Sequence, residues 1–338
     1  MYLKYFGLTA KPFELTPDPR FLFLTPGHRE ALAQLTYGVQ ERKGFILISG
    51  EVGTGKTTLL RTLIERLDRQ VESAFVVNST LPFDEMLEYV LADLGIEDPK
   101  GTRAQRLIAL NRFLISQHRL GRTTVLIIDE AQNLSIEALE QIRLMSNFET
   151  SSAKLLQIIL AGQPELHAKL QLAELRQLRQ RIALRCVLQP MIEAEVEQYI
   201  LSHLRIAGAR RQIFTPSAMK AIAEYSNGIP RVVNMIGDHA LLYGYADQAS
   251  EIDADIVKRT VKYIEAGEVR RRFKVGRPSI PRYSMRTLVA CSAGTVAVAA
   301  AIAGSLSSAY GAAVHGVAAT TVAAIGGVVR LLTHWWGS

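Results

Sequence analysis

Apolar positions in the first half of the chain fall into two alternating patterns. Phe45-Ile46-Leu47-Ile48 and Val125-Leu126-Ile127-Ile128 are unbroken runs, as in parallel strands buried on both faces. Leu59, Leu60, Leu63, Ile64 and Leu67 recur instead at helical spacing. Along the chain this predicts strands over 45–49, 74–78, 123–128, 155–161 and 183–188. Helices are expected from Thr25-Pro26 to about Arg42 and over 55–68, 83–95, 103–119 and 135–147, with further helical stretches to Arg181. The fold class expected from this alternation is α/β, a parallel sheet covered by helices on both faces.

After Pro190 the strand pattern stops. Helices are expected over 192–207, 217–225 and 230–247, and from Asp253 to about Glu265. Residues 1–27 are rich in Phe and Pro without a sustained period and read as an irregular arm. The expected organisation is an arm (1–27), a nucleotide-binding domain (28–190), a helical lid (191–266), a basic linker (267–286) and an apolar helical tail (287–333).

Composition changes this picture in one place. The formal net charge is +7, yet eight of the 39 Lys/Arg and none of the 32 Asp/Glu lie beyond residue 268. The body is therefore near neutral, which argues against extensive contact with nucleic-acid phosphates. The two cysteines, Cys186 and Cys291, do not make a disulfide framework and fit a reducing compartment. The start MYLKYFGLTA lacks the charge and apolar run of a signal peptide, so none is expected.

The chemistry is concentrated after the first strand. Gly50-Glu51-Val52-Gly53-Thr54-Gly55-Lys56-Thr57-Thr58 fits G-x-x-x-x-G-K-[ST] at every fixed position, between a predicted strand and a predicted helix. Such a loop points backbone N–H groups at phosphates, and the helix start adds partial positive charge. Lys56 would reach the β- and γ-phosphates of ATP, and Thr57 would ligate Mg²⁺. A partner carboxylate is needed on a neighbouring strand, and Asp129-Glu130 follows the run 125–128. Asp129 would hold Mg²⁺, and Glu130 would deprotonate the attacking water. Gln163, just past the strand 155–161, is placed to bond the γ-phosphate or that water. Arg181, or less favourably Arg179, closes a helix before the last strand, where a subunit edge would offer it to a neighbour's γ-phosphate. Arg231 opens a helix, where the dipole disfavours a cation, so an anionic partner is expected.

Together these residues resemble the AAA+ ATPases. The arm YFGLTAKPFELTPDPRFLFLTPGHREAL (5–32), followed by GEVGTGKTTLLR and LIIDEAQNL (126–134), is similar to the general secretion pathway protein A family and its pilus and exopolysaccharide relatives, with the transposition regulator TnsC more distant. The resemblance covers about residues 2–266. It implies that Lys56 and Thr57 belong to the Walker A, Asp129 and Glu130 to the Walker B, Gln163 to sensor 1, Arg181 to the arginine finger and Arg231 to sensor 2. It also implies that His28 and Arg29 line the adenine side. Secretion members continue into a periplasmic peptidoglycan-binding region; these residues show no counterpart, so cell-wall binding is not expected of them.

Thr287 to Val329 are 43 residues without a charge. That suits two membrane spans of roughly 20 residues each. The basic collar before them places that side in the cytoplasm, and Trp335 and Trp336 suit the return interface. The alternatives are a single span, an Ala-rich hairpin packed in an oligomer, or disorder. The expected function is a Mg²⁺-dependent ATPase anchored at the inner membrane, forming a homo-oligomeric ring or filament that supports secretion or envelope assembly with partner proteins. The alternatives are a DNA-associated regulator of the transposition kind and a nucleotide-switched scaffold.

Overall fold

The computed structural model describes residues 1–274 apart from 17, 68, 69, 78, 99 and 152, and of 267–274 only the backbone. Residues Met1–Arg270 form one compact unit. Its helices are α1 (Tyr2–Phe6), α2 (Pro26–Gln40), α3 (Lys56–Arg66), α4 (Phe83–Asp93), α5 (Arg103–Arg119), α6 (Ile136–Met145), α7 (Pro164–Leu170), α8 (Arg176–Arg181), α9 (Glu193–Ile206), α10 (Pro216–Ser226), α11 (Pro230–Ala246) and α12 (Ala254–Lys274). The strands are β1 (Phe45–Gly50), β2 (Val71–Val76), β3 (Thr123–Ile128), β4 (Leu156–Gly162) and β5 (Ile182–Leu188).

All pairings are parallel, in the order β2-β3-β4-β1-β5. Alternation of side chains along each strand sends Phe45, Leu47, Leu126 and Ile158 into one core with α4 to α8. Ile46, Ile48, Val125 and Ile159 enter the opposite core with α2 and α3. The sheet is therefore covered on both faces, which is why its central strands read as unbroken apolar runs. β1 lies between β4 and β5, so the loop after β1 and the acids after β3 flank the end of β4.

Two differences from the sequence reading have physical causes. β2 starts at Val71 rather than near residue 74. It is an edge strand with only Ala74 and Val76 buried, so its first half carries polar residues that mask it. The arm is not wholly irregular. Met1 precedes the short helix α1, whose Tyr2 and Phe6 sit one turn apart and are buried. Tyr2, Phe6, Leu8 and Phe13 enter a third core with α9 to α12. Thr9 N–H donates to the Ala207 carbonyl at 2.8 Å.

Among the described residues, no helix is long and apolar enough to cross a membrane. The expected tail at 287–333, and most of the basic linker before it, lie outside the described residues.

Candidate active site

A cleft of about 380 Å³ opens between the C-terminal ends of the strands and the helical part. Residues 52–59, Glu130, His28, Arg231 and the arm residues 10–12, 14–16, 18 and 20–24 line it, with Tyr199, His203 and Asn234 at its far end.

The loop after β1 turns tightly because Gly53 (φ 84°) and Gly55 (φ 96°) take left-handed backbone. At Gly53 a side chain would also lie 2.8 Å from Arg231 Cβ. The Arg231 N–H donates to the Gly53 carbonyl at 3.4 Å, so the first turn of α11 rests on the loop. Lys56 opens α3 and is 5% exposed. Its Nζ donates to the carbonyls of Gly50 (2.8 Å) and Glu51 (3.0 Å). Burial pushes its ammonium below the usual lysine range, against the pull of Glu130, Asp129, Glu51 and Glu165.

Thr57 Oγ1 donates to Asp129 Oδ2 at 2.5 Å. Asp129 is 2% exposed, and its other oxygen accepts the Glu130 N–H at 2.9 Å. A buried carboxylate beside a hydroxyl is a hard-oxygen pair that suits Mg²⁺, which takes few protein ligands and fills the rest with phosphates and water. Among the described residues, no group of three or more His, Cys, Asp or Glu could hold a metal by itself.

Glu130 has left-handed backbone (φ 51°), uncommon for a residue with a side chain. Ser79 Oγ donates to its carbonyl at 2.7 Å and holds that turn. Its Oε2 accepts from Gln132 Nε2 (2.5 Å) and Gln163 Nε2 (3.0 Å). Burial raises the Glu130 pKa, but the two amides and the Lys56 charge outweigh it and leave it below the usual carboxylate value. Gln163 occupies the N-cap of α7 without capping it; its amide serves Glu130 instead.

Of the residues read from the sequence, Glu51, Val52, Gly53, Thr54, Gly55, Lys56, Thr57, Thr58, Glu130, Gln163 and Arg231 are thus brought to one place or to residues within it, with Asp129 bound to Thr57. Gly50 supplies a carbonyl to Lys56. Arg181 is not at the cleft of its own chain. Its Nη1 donates to the Arg143 carbonyl, Ser146 Oγ and Asn147 Oδ1, closing the end of α6. Arg179 Nη1 donates to the Gln171 carbonyl and side chain. Arg29 is exposed and outside the lining. His28 is 6% exposed; its Nε2 meets the Thr54 carbonyl at 2.9 Å and its Nδ1 meets Thr25 Oγ1 at 2.7 Å. The carbonyl only accepts, so Nε2 carries the proton.

The sequence reading missed Gln132, whose only signal is its place two residues after Glu130. It also missed the far end of the cleft. There Tyr199 and His203, one turn apart on α9, stack at 3.9 Å, with Phe23 and Phe21 against them. Tyr199 Oη donates to Asn234 Oδ1 at 2.8 Å.

Comparison with known proteins fits this geometry. Residues 39–170 match the AAA domain family. Over 253 residues the chain is 40% identical to general secretion pathway protein A of Aeromonas hydrophila, covering 75% of this chain and 46% of that protein. The chain thus spans about half the length of the curated relative it matches. Among solved structures, it is similar to the ORC2 protein of Aeropyrum pernix in ADPNP-ADP complexes, with a TM-score of 0.58, 18% identity, and coverage of 75% of this chain and 71% of that one. Cdc6p of Pyrobaculum aerophilum gives a TM-score of 0.55 at 17% identity, covering 73% and 71%. At such identities these two likenesses speak for the fold. The phosphate-loop cleft, the parallel sheet and the 40% identity agree: residues 39–170 form an AAA domain, and the chain is a relative of general secretion pathway protein A.

Proposed function

We propose that the chain is a Mg²⁺-dependent ATP hydrolase that works as a homo-oligomer in secretion or envelope assembly. The observation that carries this reading is the Thr57–Asp129 contact, which joins the phosphate loop to the acid strand beside Lys56 and Glu130. Loop N–H groups and Lys56 take the β- and γ-phosphates; Lys56 exchanges its bonds to the Gly50 and Glu51 carbonyls for phosphate oxygens. Thr57 and Asp129 hold Mg²⁺, which neutralises phosphate charge. Glu130 takes the proton of the attacking water, and Gln163 helps orient that water. Arg231 reaches the phosphates from the helical side, so α11 responds to what the loop holds. The base lies toward the arm residues 20–24 that line the cleft.

Arg181 is proposed to act on the nucleotide of a neighbouring copy from the edge formed by α6 and α8. Anchoring at the cytoplasmic face of the inner membrane by residues 287–333, and partners in the secretion machinery, belong to the same reading. The test is ATP binding and turnover by the full chain with and without Mg²⁺. Glu130→Gln is expected to keep binding and lose turnover by about 10²–10⁴-fold. Unchanged turnover removes Glu130 as the base, and failure to bind ATP with Mg²⁺ present removes the whole reading. Salt-dependent DNA binding by residues 1–268 would replace it with the DNA-associated one.

A further inference from the structure

Gln132 is placed by the turn that follows β3. Residues Ala131–Asn133 form one turn of 3-10 helix, and Lys169 Nζ from α7 donates to the Gln132 and Leu134 carbonyls at 2.5 and 2.7 Å. From that fixed backbone the side chain bridges two strand ends. Its Nε2 donates to Glu130 Oε2 at 2.5 Å, and its Oε1 accepts the Gln163 N–H at 3.1 Å. Gln163 Nε2 donates to the same Glu130 oxygen at 3.0 Å, which closes a ring of three residues. The orientation of the Gln132 amide follows from its partners, since a carboxylate only accepts and an N–H only donates. Space for it is left by Gly162, where a Cβ would lie 2.9 Å from Gln132 Oε1.

We propose that Gln132 is a positioning residue that locks Glu130 and Gln163 into one rigid unit. The inference rests on the reading of Glu130 as the base. Lys56 and Glu130 attract one another across the cleft, in a field shared with Asp129, Glu51 and Glu165. A Glu130 released from its amides swings toward the Lys56 ammonium, competing with phosphate and leaving the water. One amide, on a side chain with three rotatable bonds, does not fix a carboxylate; two amides tied to each other do.

The test compares Gln132→Met, which keeps length and loses both polar ends, with Gln132→Glu, which keeps the acceptor for the Gln163 N–H and loses the donor to Glu130. In the full chain, Gln132→Met is expected to lower kcat by about ten- to a hundredfold with KM for ATP within roughly twofold, and to add no further loss to Glu130→Gln. Hydrogen exchange at the Gln163 N–H is expected to accelerate in Gln132→Met and stay slow in Gln132→Glu, while kcat falls in both. A kcat within roughly twofold of the unmodified chain in both variants, or a loss confined to KM, overturns the proposal. If the unmodified chain lacks ATP turnover, the proposed function fails first. The exchange measurement then decides the clamp, and an unchanged Gln163 N–H in Gln132→Met overturns it.

Discussion

On the sheet side of the cleft, Lys56, Thr57, Asp129 and Glu130 are held by short hydrogen bonds among strand ends and the loops that leave them. On the helical side, Phe21, Phe23, Tyr199 and His203 are held by ring contacts between the arm and α9. The first wall is polar, and its members are fixed by direction. The second is apolar, and its members are fixed by shape and burial. Hydrogen bonds lose their value within a fraction of an ångström, whereas apolar contacts tolerate small shifts. The sheet wall is thus suited to chemistry, and the helical wall to giving the cleft a fixed shape. Substitutions on the two walls should separate accordingly: stability on one side, turnover on the other.

The largest expected effect is on the helical wall. Phe13 is 1% exposed, packed on Phe214 and His203, and fills the space that Gly237 leaves. Phe13→Ala is expected to lower stability by about 3–5 kcal/mol, read from the denaturant midpoint. A smaller loss, below about 1 kcal/mol, would mean the arm is not part of that core. Next comes Lys56→Ala, expected to lower kcat/KM for ATP by about 10²–10³-fold while the midpoint stays near that of the unmodified chain. A large loss of stability instead would make Lys56 a structural group and erase the contrast between the walls. Arg231→Ala sits at the join of the two walls and is expected to weaken ATP binding by about 1.5–3 kcal/mol in equilibrium titration. Unchanged affinity would separate α11 from the phosphates.

The same contrast explains what could be read from the chain. The phosphate loop and Asp129-Glu130 are legible because their chemistry is written in short spacings, and β1, β3 and β4 because both their faces are buried. The helical wall depends on distant pairs: Tyr2 Oη donates to Asp238 Oδ1 at 2.6 Å, and Thr9 reaches Ala207. A five-residue helix has too few turns to display a period, so α1 passed as an irregular arm. Arg181 reads from the sequence as a group offered to a neighbour's γ-phosphate, and nothing near it in sequence reveals the Arg143, Ser146 and Asn147 acceptors that hold it within its own chain. The role of Gln132 is not legible because its second partner, Gln163, lies 31 residues away, past the end of β4.

The smallest effect tests the apolar character of the helical wall most directly. His203 is 3% exposed, and its Nδ1–H donates to the Tyr199 carbonyl at 3.0 Å. Burial pushes its pKa down from 6.5 to about 4, with the Tyr199 carbonyl opposing only in part. The neutral ring is therefore the folded form, while the unfolded chain takes up a proton as pH falls through about 6.5. Stability from this residue is intact above that pH and is lost as pH drops toward the folded value, by about 1.4 kcal/mol for each unit. At pH 5.5 the expected loss is about 1.4 kcal/mol relative to pH 7.5. His203→Gln removes this share of the acid sensitivity, so the difference between the two chains isolates it from carboxylates that titrate in both. If both chains lose the same stability between pH 7.5 and 5.5, the His203 ring is wet enough to carry its charge, and the far end of the cleft is polar after all. If the difference appears, the ring stays uncharged at neutral pH, and the phosphates are left to Lys56 and Arg231.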